Sequence, residues 1–218
     1  MTETNTESLS ESMDVGDYLA QVSNDPNWQK ENTFPRVYQN IKKGDLVLKQ
    51  QAFKGSERYL LVDIDISKEP VVADRQKLVM SSIRTLFDTK TIEDGYSKDS
   101  SYYDKHSTKD SEKRHVVPLS ELLRNKRGEC VEVATVTQLL IQERGDEVYM
   151  ISGHLYEEGA EDEQEAHTWN IIKKADGYYL VDAKNGFKSK INAVVKVPKT
   201  GRYFLDTEKR PEHFYFMD

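Results

Sequence analysis

The 218-residue chain has a single cysteine, Cys130, so no internal disulfide and no zinc knuckle can be built from it. A disulfide-stapled secreted domain is thereby excluded, and a reducing, cytoplasmic setting is the default. No run of ~18 apolar residues occurs, which excludes a membrane-spanning helix. The N-terminus, MTETNTESLSESMDVGDYLAQ, has neither a cationic start nor an apolar core, so no Sec-type signal peptide is expected. Basic residues are in deficit, 31 Lys and Arg against 38 Asp and Glu, for a formal net charge of −7. Nucleic acid is therefore not the expected main partner, because neutralising phosphates needs a basic face. His106, His115 and His213 lack ligand-like spacing with one another, so neither a metal nor another cofactor is expected. Apolar residues make up 37% of the chain, with 11 glycines besides, short of the usual ~45–50%. That composition is polar but foldable, and its length suits one large domain or one domain with a small companion.

Serine and threonine occupy six of the first twelve positions, and residues 1–14 are expected to be disordered, a tail also seen on some secreted bacterial effectors. Residues 15–93 read as an N-terminal β-rich and helical subdomain. Tyr18, Leu19 and Val22 suit a short helix, and Asp25-Pro26-Asn27 a turn. Leu46 to Ala52 and the run RYLLVDIDIS predict a hairpin, with Asp63 and Asp65 as exposed strand acids. Residues 71–88 place Val72, Leu78, Val79, Ile83 and Leu86 at near-helical spacing. Residues 94–114 carry no apolar period and predict a long polar loop.

Residues 115–218 carry the chemistry. LSELLRN after Pro118 predicts a short helix, capped at Ser120 or the residue before it. A second helix is expected from Cys130 to Arg144, ended by Gly145 and buried, because its apolar residues spread around most of its circumference. Strands EVYMISGHLY, HTWNIIKK and YYLVDAKN follow, with a further strand pair in the last 25 residues. A cysteine opening a helix sits where unpaired N–H groups and the positive dipole end favour a thiolate. The plain alternative is a small buried hydrophobe. Gly128 lets the backbone approach a substrate carbonyl, and the N–H of Cys130 is placed to donate to an oxyanion. Pairing Lys173 with Tyr178 across the last hairpin puts His167 one diagonal step from Asp182 on one face. A turn at Asp176-Gly177 would instead separate them. In the first register Asp182 orients His167, which serves Cys130.

The stretch LLRNKRGECVEVATVTQLLIQERGDEVYMISGHL, with HTWNII and YYLVDAKN after it, resembles the core of the transglutaminase-like superfamily of cysteine enzymes. In that family a Gly-x-Cys opens a buried helix, a His-x-Trp begins the strand after next, and an Asp ends the following one. The resemblance covers about residues 118–187. It implies an α+β, papain-like core in which the Cys-bearing helix packs on an antiparallel sheet. It also implies Cys130 as nucleophile, His167 as general base and acid, and Asp182 as the orienting residue. Gly128 and Trp169 become the candidate substrate contacts. The implied reaction is acyl transfer on a protein or peptide amide through a thioester, either glutamine deamidation or transamidation, or peptide hydrolysis.

The segment Glu157–Glu165 holds six carboxylates just before His167. It reads either as a solvated loop or as a rim that draws in a cationic protein surface. His154 reads as an exposed strand residue or as a neighbour of the same cleft. Two rivals belong to other classes: a catalytically silent protein-binding module, and an amine acetyltransferase. The latter would need a phosphate-cradling coenzyme site, and no basic segment near these residues supplies one.

Overall fold

The computed structural model describes residues 11–24, 36–48, 58–68, 83, 86–87, 106–157, 164–198 and 201–217. The turn expected at 25–27, most of the helix expected over 71–88, residues 94–105 of the polar loop and residues 158–163 of the acidic segment lie outside these. Twelve strands are present among the described residues: β1 (Ser12–Met13), β2 (Arg36–Gln39), β3 (Leu46–Leu48), β4 (Arg58–Leu61), β5 (Thr108–Lys109), β6 (His115–Pro118), β7 (Val148–Glu157), β8 (Gln164–Lys174), β9 (Gly177–Asp182), β10 (Phe187–Lys196), β11 (Tyr203–Thr207) and β12 (His213–Met217). The helices are α1 (Val15–Asn24), α2 (Leu119–Arg124) and α3 (Cys130–Glu143).

Strands β7 to β12 pair antiparallel in the order β10-β11-β12-β7-β8-β9, and β9 pairs back onto β10, so six strands close into a barrel. The outer edge of β7 is shared. Its first half takes β2 (Tyr149 to Ser152) and its second half takes β12 (His154 to Glu157). This corrects the expected α+β, papain-like helix-on-sheet core. Strand makes up 45% of the described residues against 23% helix, and there are three α-helices among them. The reason is physical: alternation marks a strand and its buried face, but not which edges meet. Closure leaves no unpaired barrel edge.

The barrel is filled by the inward residues of each strand, among them Ile151, Trp169, Ile171, Leu180, Val194, Leu205 and Tyr215. Helix α1 closes one side with Tyr18, Leu19 and Val22, the residues that suggested it, and with Val15. The N-terminal region is thus built into the barrel core, and β1 lies within the stretch expected to be disordered. A second cluster joins α3 to a four-stranded sheet, β3-β4-β6-β5, through Val47, Leu60, Val62, Val117, Leu119 and Leu122. Helix α3 lies between that sheet and the barrel, and every residue from Cys130 to Ile141 is buried. Its length and sidedness match the sequence pattern, and Gly145 takes the left-handed conformation (φ 79°) that ends it.

The hairpin β3–β4 forms as expected, pairing Leu46 with Leu61. Asp63 and Asp65, however, lie beyond its end. Asp63 accepts the Ser120 backbone N–H (2.9 Å) and hydroxyl, fixing the start of α2, and Asp65 pairs with Lys68. The N-cap of α2 is Pro118, so Ser120 serves from inside the helix instead. No helix among the described residues is long and apolar enough to cross a membrane.

Candidate active site at the start of the buried helix

The α3 N-terminus is fixed by a reciprocal capping box. The Glu129 backbone N–H donates to Glu132 Oε2 (2.9 Å), while the Glu129 side chain accepts the Glu132 backbone N–H. This pins Cys130 at the first helical position, where backbone N–H groups have no partner within the helix. Deeper along α3, Asn170 Nδ2 on β8 donates to the Ala134 carbonyl (3.1 Å), and Gln138 and Gln142 donate to the carbonyls of Tyr38 and Ile41. The helix is therefore held in register by polar ties as well as by packing.

The β8–β9 hairpin pairs Lys173 with Tyr178 and Asn170 with Val181, the register that brings His167 and Asp182 together. His167 Nε2 lies 2.8 Å from Asp182 Oδ2. Both are sealed, His167 at 0% and Asp182 at 1% exposure, and Cys130 is 6% exposed. The Asp182 carboxylate also accepts the Tyr215 hydroxyl (2.9 Å), Asn185 Nδ2 (2.9 Å) and the Asn185 backbone N–H (3.1 Å). Burial opposes its charge, but the His167 imidazolium, with the Asn185 N–H and the Tyr215 hydroxyl, holds it below the usual 3.8. Burial likewise opposes a charged His167. The charge and hydrogen bond of Asp182, followed by those of Cys130, outweigh it and raise His167 to about 10. Burial, and next to it the charge of Asp182, keeps the Tyr215 phenol protonated, so it stays a donor.

Cys130, His167 and Asp182 thus come together. With Nε2 committed to Asp182, Nδ1 is the ring nitrogen left to serve the thiol. Trp169 is buried inside the barrel, stacked on His167 (6.2 Å between centroids) and edge-on to Tyr215 (5.2 Å), where it fixes the imidazole plane. Gly128 is covered: a Cβ there would come within 2.3 Å of the Phe87 ring. Its lack of a side chain thus makes room for Phe87. His154 is half-buried on β7, edge-on to Tyr156. Of the acidic segment, Glu165 pairs with Lys184 (3.5 Å). No group of three metal-ligating side chains occurs among the described residues.

Asn185, Tyr215, Lys184 and Phe87 were not reached from the sequence. Asn185 is the one of these that lies close in sequence to its partner, three residues after Asp182 in the turn that follows β9. Tyr215 comes from the last strand and Phe87 from upstream of the polar loop, and no local pattern ties either to residue 130 or 182. Compared with known proteins, the chain matches no family model, no curated protein and no solved structure, so the reading of this site rests on its own geometry.

Proposed function

We propose that the chain is a thiol-dependent acyl-transfer enzyme acting on protein or peptide amides, with a glutamine side chain as the favoured substrate. The observation that carries this reading is the sealed His167–Asp182 pair (2.8 Å) set against Cys130 at the head of a buried helix. The Cys130 sulfur attacks the amide carbonyl carbon, and His167 gives its proton to the leaving nitrogen as the C–N bond breaks. The oxyanion that forms is met by the N–H of Cys130. Water or an amine then attacks the thioester and yields its proton to His167. Collapse expels the thiolate, leaving a glutamate or a crosslink. Backbone peptide hydrolysis uses the same steps on a different carbonyl. The proposed partner is a protein with a cationic surface facing the acidic segment 157–165.

Mass spectrometry of proteins treated with the wild type and with Cys130→Ala tests this. A deamidation mass gain, a glutamine–lysine crosslink or a cleaved chain is expected with the wild type alone. A second reading, a silent binding module, is favoured by the closure of the site, with His167 wholly buried and Phe87 on Gly128. It requires that partner binding survive Cys130→Ala with no covalent product from either protein.

A further inference from the structure

The end of β9 and the turn that follows it deliver neighbouring side chains to different places. Asp182 points to the barrel interior, where His167 and Tyr215 hold it. Ala183 packs in the same apolar cluster as Cys130. Asn185 folds back onto Asp182 and locks the turn. Between them Lys184 has a side chain only 12% exposed, with its ammonium 3.5 Å from Glu165 on β8.

Burying most of a lysine costs free energy unless negative groups answer it. Among the described residues, the negative groups that act on the Lys184 charge are Cys130 and Glu129 from the head of α3, Glu165 from β8 and Asp182 from β9. The same count read from Cys130 is unfavourable. Glu129 at the N-cap and Glu132 in the first turn place two buried carboxylates at the start of its own helix, where they neutralise the dipole end that would otherwise favour a thiolate. Asp182 is already matched by His167. We infer that Lys184 is the second cation of the site, an electrostatic positioning residue that offsets Glu129 and stabilises the Cys130 thiolate alongside His167, with Glu165 fixing its ammonium. Burial pulls Lys184 toward neutrality, but the negative charge around it prevails and keeps it above the usual lysine value, so it stays charged across the working pH range. This role deepens the acyl-transfer reading and rests on it.

The test is the pH profile of Cys130 alkylation, unambiguous because the chain has one cysteine. Neutral iodoacetamide and anionic iodoacetate are compared in the wild type, Lys184→Met, Lys184→Arg and His167→Ala, with circular dichroism to confirm folding. Lys184→Met is expected to slow labelling at pH 6 by about tenfold, the equivalent of one unit of displaced profile. It should also lower the preference for iodoacetate, and Lys184→Arg should restore both. A Lys184→Met profile that overlays the wild type, or an equal loss in Lys184→Arg, overturns the role of Lys184. A wild-type profile indifferent to His167→Ala overturns instead the Cys130–His167 pair and, with it, the acyl-transfer reading.

Discussion

The two sides of the Cys130–His167–Asp182 cluster are held by different physics. On the barrel side, Asp182 gathers donors from β8, β12 and the turn after β9, all within 2.8–3.1 Å. Position there is set by hydrogen bonds inside a closed wall of strands. On the helix side, Cys130 is positioned by α3, which is buried on all faces between two apolar surfaces and pinned by its capping box. The histidine is thus oriented by directional bonds that depend on charge, and the sulfur by packing and a helix start. A perturbation of charge should strike the first, and a perturbation of volume the second.

The largest break in that contrast is expected from Asp182→Ala. Removing one member of a buried, hydrogen-bonded ion pair typically costs about 3–5 kcal/mol, because the other is left uncompensated. Urea unfolding should show it as a lowered midpoint at unchanged slope; a loss below 1 kcal/mol would mean that the pair is not held as described.

Two glycines set the sides against each other directly. At Gly153, opposite His167 on β7, a Cβ would meet the Phe216 carbonyl oxygen at 2.2 Å and the Trp169 ring at 2.6 Å. Backbone cannot yield cheaply there, and Gly153→Ala should cost about 3 kcal/mol, at the top of the usual overpacking range. At Gly128 the obstacle is the Phe87 ring, a side chain. Gly128→Ala should cost about 1 kcal/mol, at the low end of that range, yet change the rate of Cys130 labelling as Phe87 is displaced. Equal costs at the two positions would erase the distinction.

A smaller effect is expected from pH. His167 is raised to about 10 in the folded chain from an ordinary 6.5, so its stabilisation is complete below pH 6.5 and fades as pH rises through 10. Asp182 is lowered, so its share is present above about pH 4, near the unfolded carboxylate value, and fades as pH falls below it. The unfolding midpoint should fall between pH 6.5 and 10 in the wild type, and His167→Gln should flatten that decline. A decline of the same steepness in both would assign it to other groups. Smallest of all is Lys174→Ala, which removes an exposed pair with Asp146 (2.6 Å) at the far end of β8. It should leave both the melting temperature and Cys130 labelling within experimental scatter.

Much of the site was legible before any coordinates, for reasons that can be named. Cys130 stands out because a Gly-x-Cys precedes a helix whose apolar positions encircle it, and counting residues across one hairpin narrows the His167–Asp182 question to two registers, of which the structure has the one that joins them. Those are local rules, with periods of 3.6 and 2. The alternation of Asp63 and Asp65 misled, because a polar–apolar alternation at a strand end looks the same whether the strand continues or stops to cap α2. The helix-on-sheet expectation failed where locality ended, at the pairing of β9 with β10 and of β12 with β7 that closes the barrel.

The buried helix, the single thiol and the two strand registers open to the last hairpin are all written in local pattern; the structure selects the register that aligns the histidine with the aspartate. The local readings were possible because each depends on side chains a few residues apart. That six strands close on themselves, that Tyr215 reaches Asp182 from 33 positions away, that Phe87 covers Gly128 and that Lys184 pairs with Glu165 belongs to the tertiary structure. Those contacts join segments with no shared period, and only the packing of the whole chain brings them together.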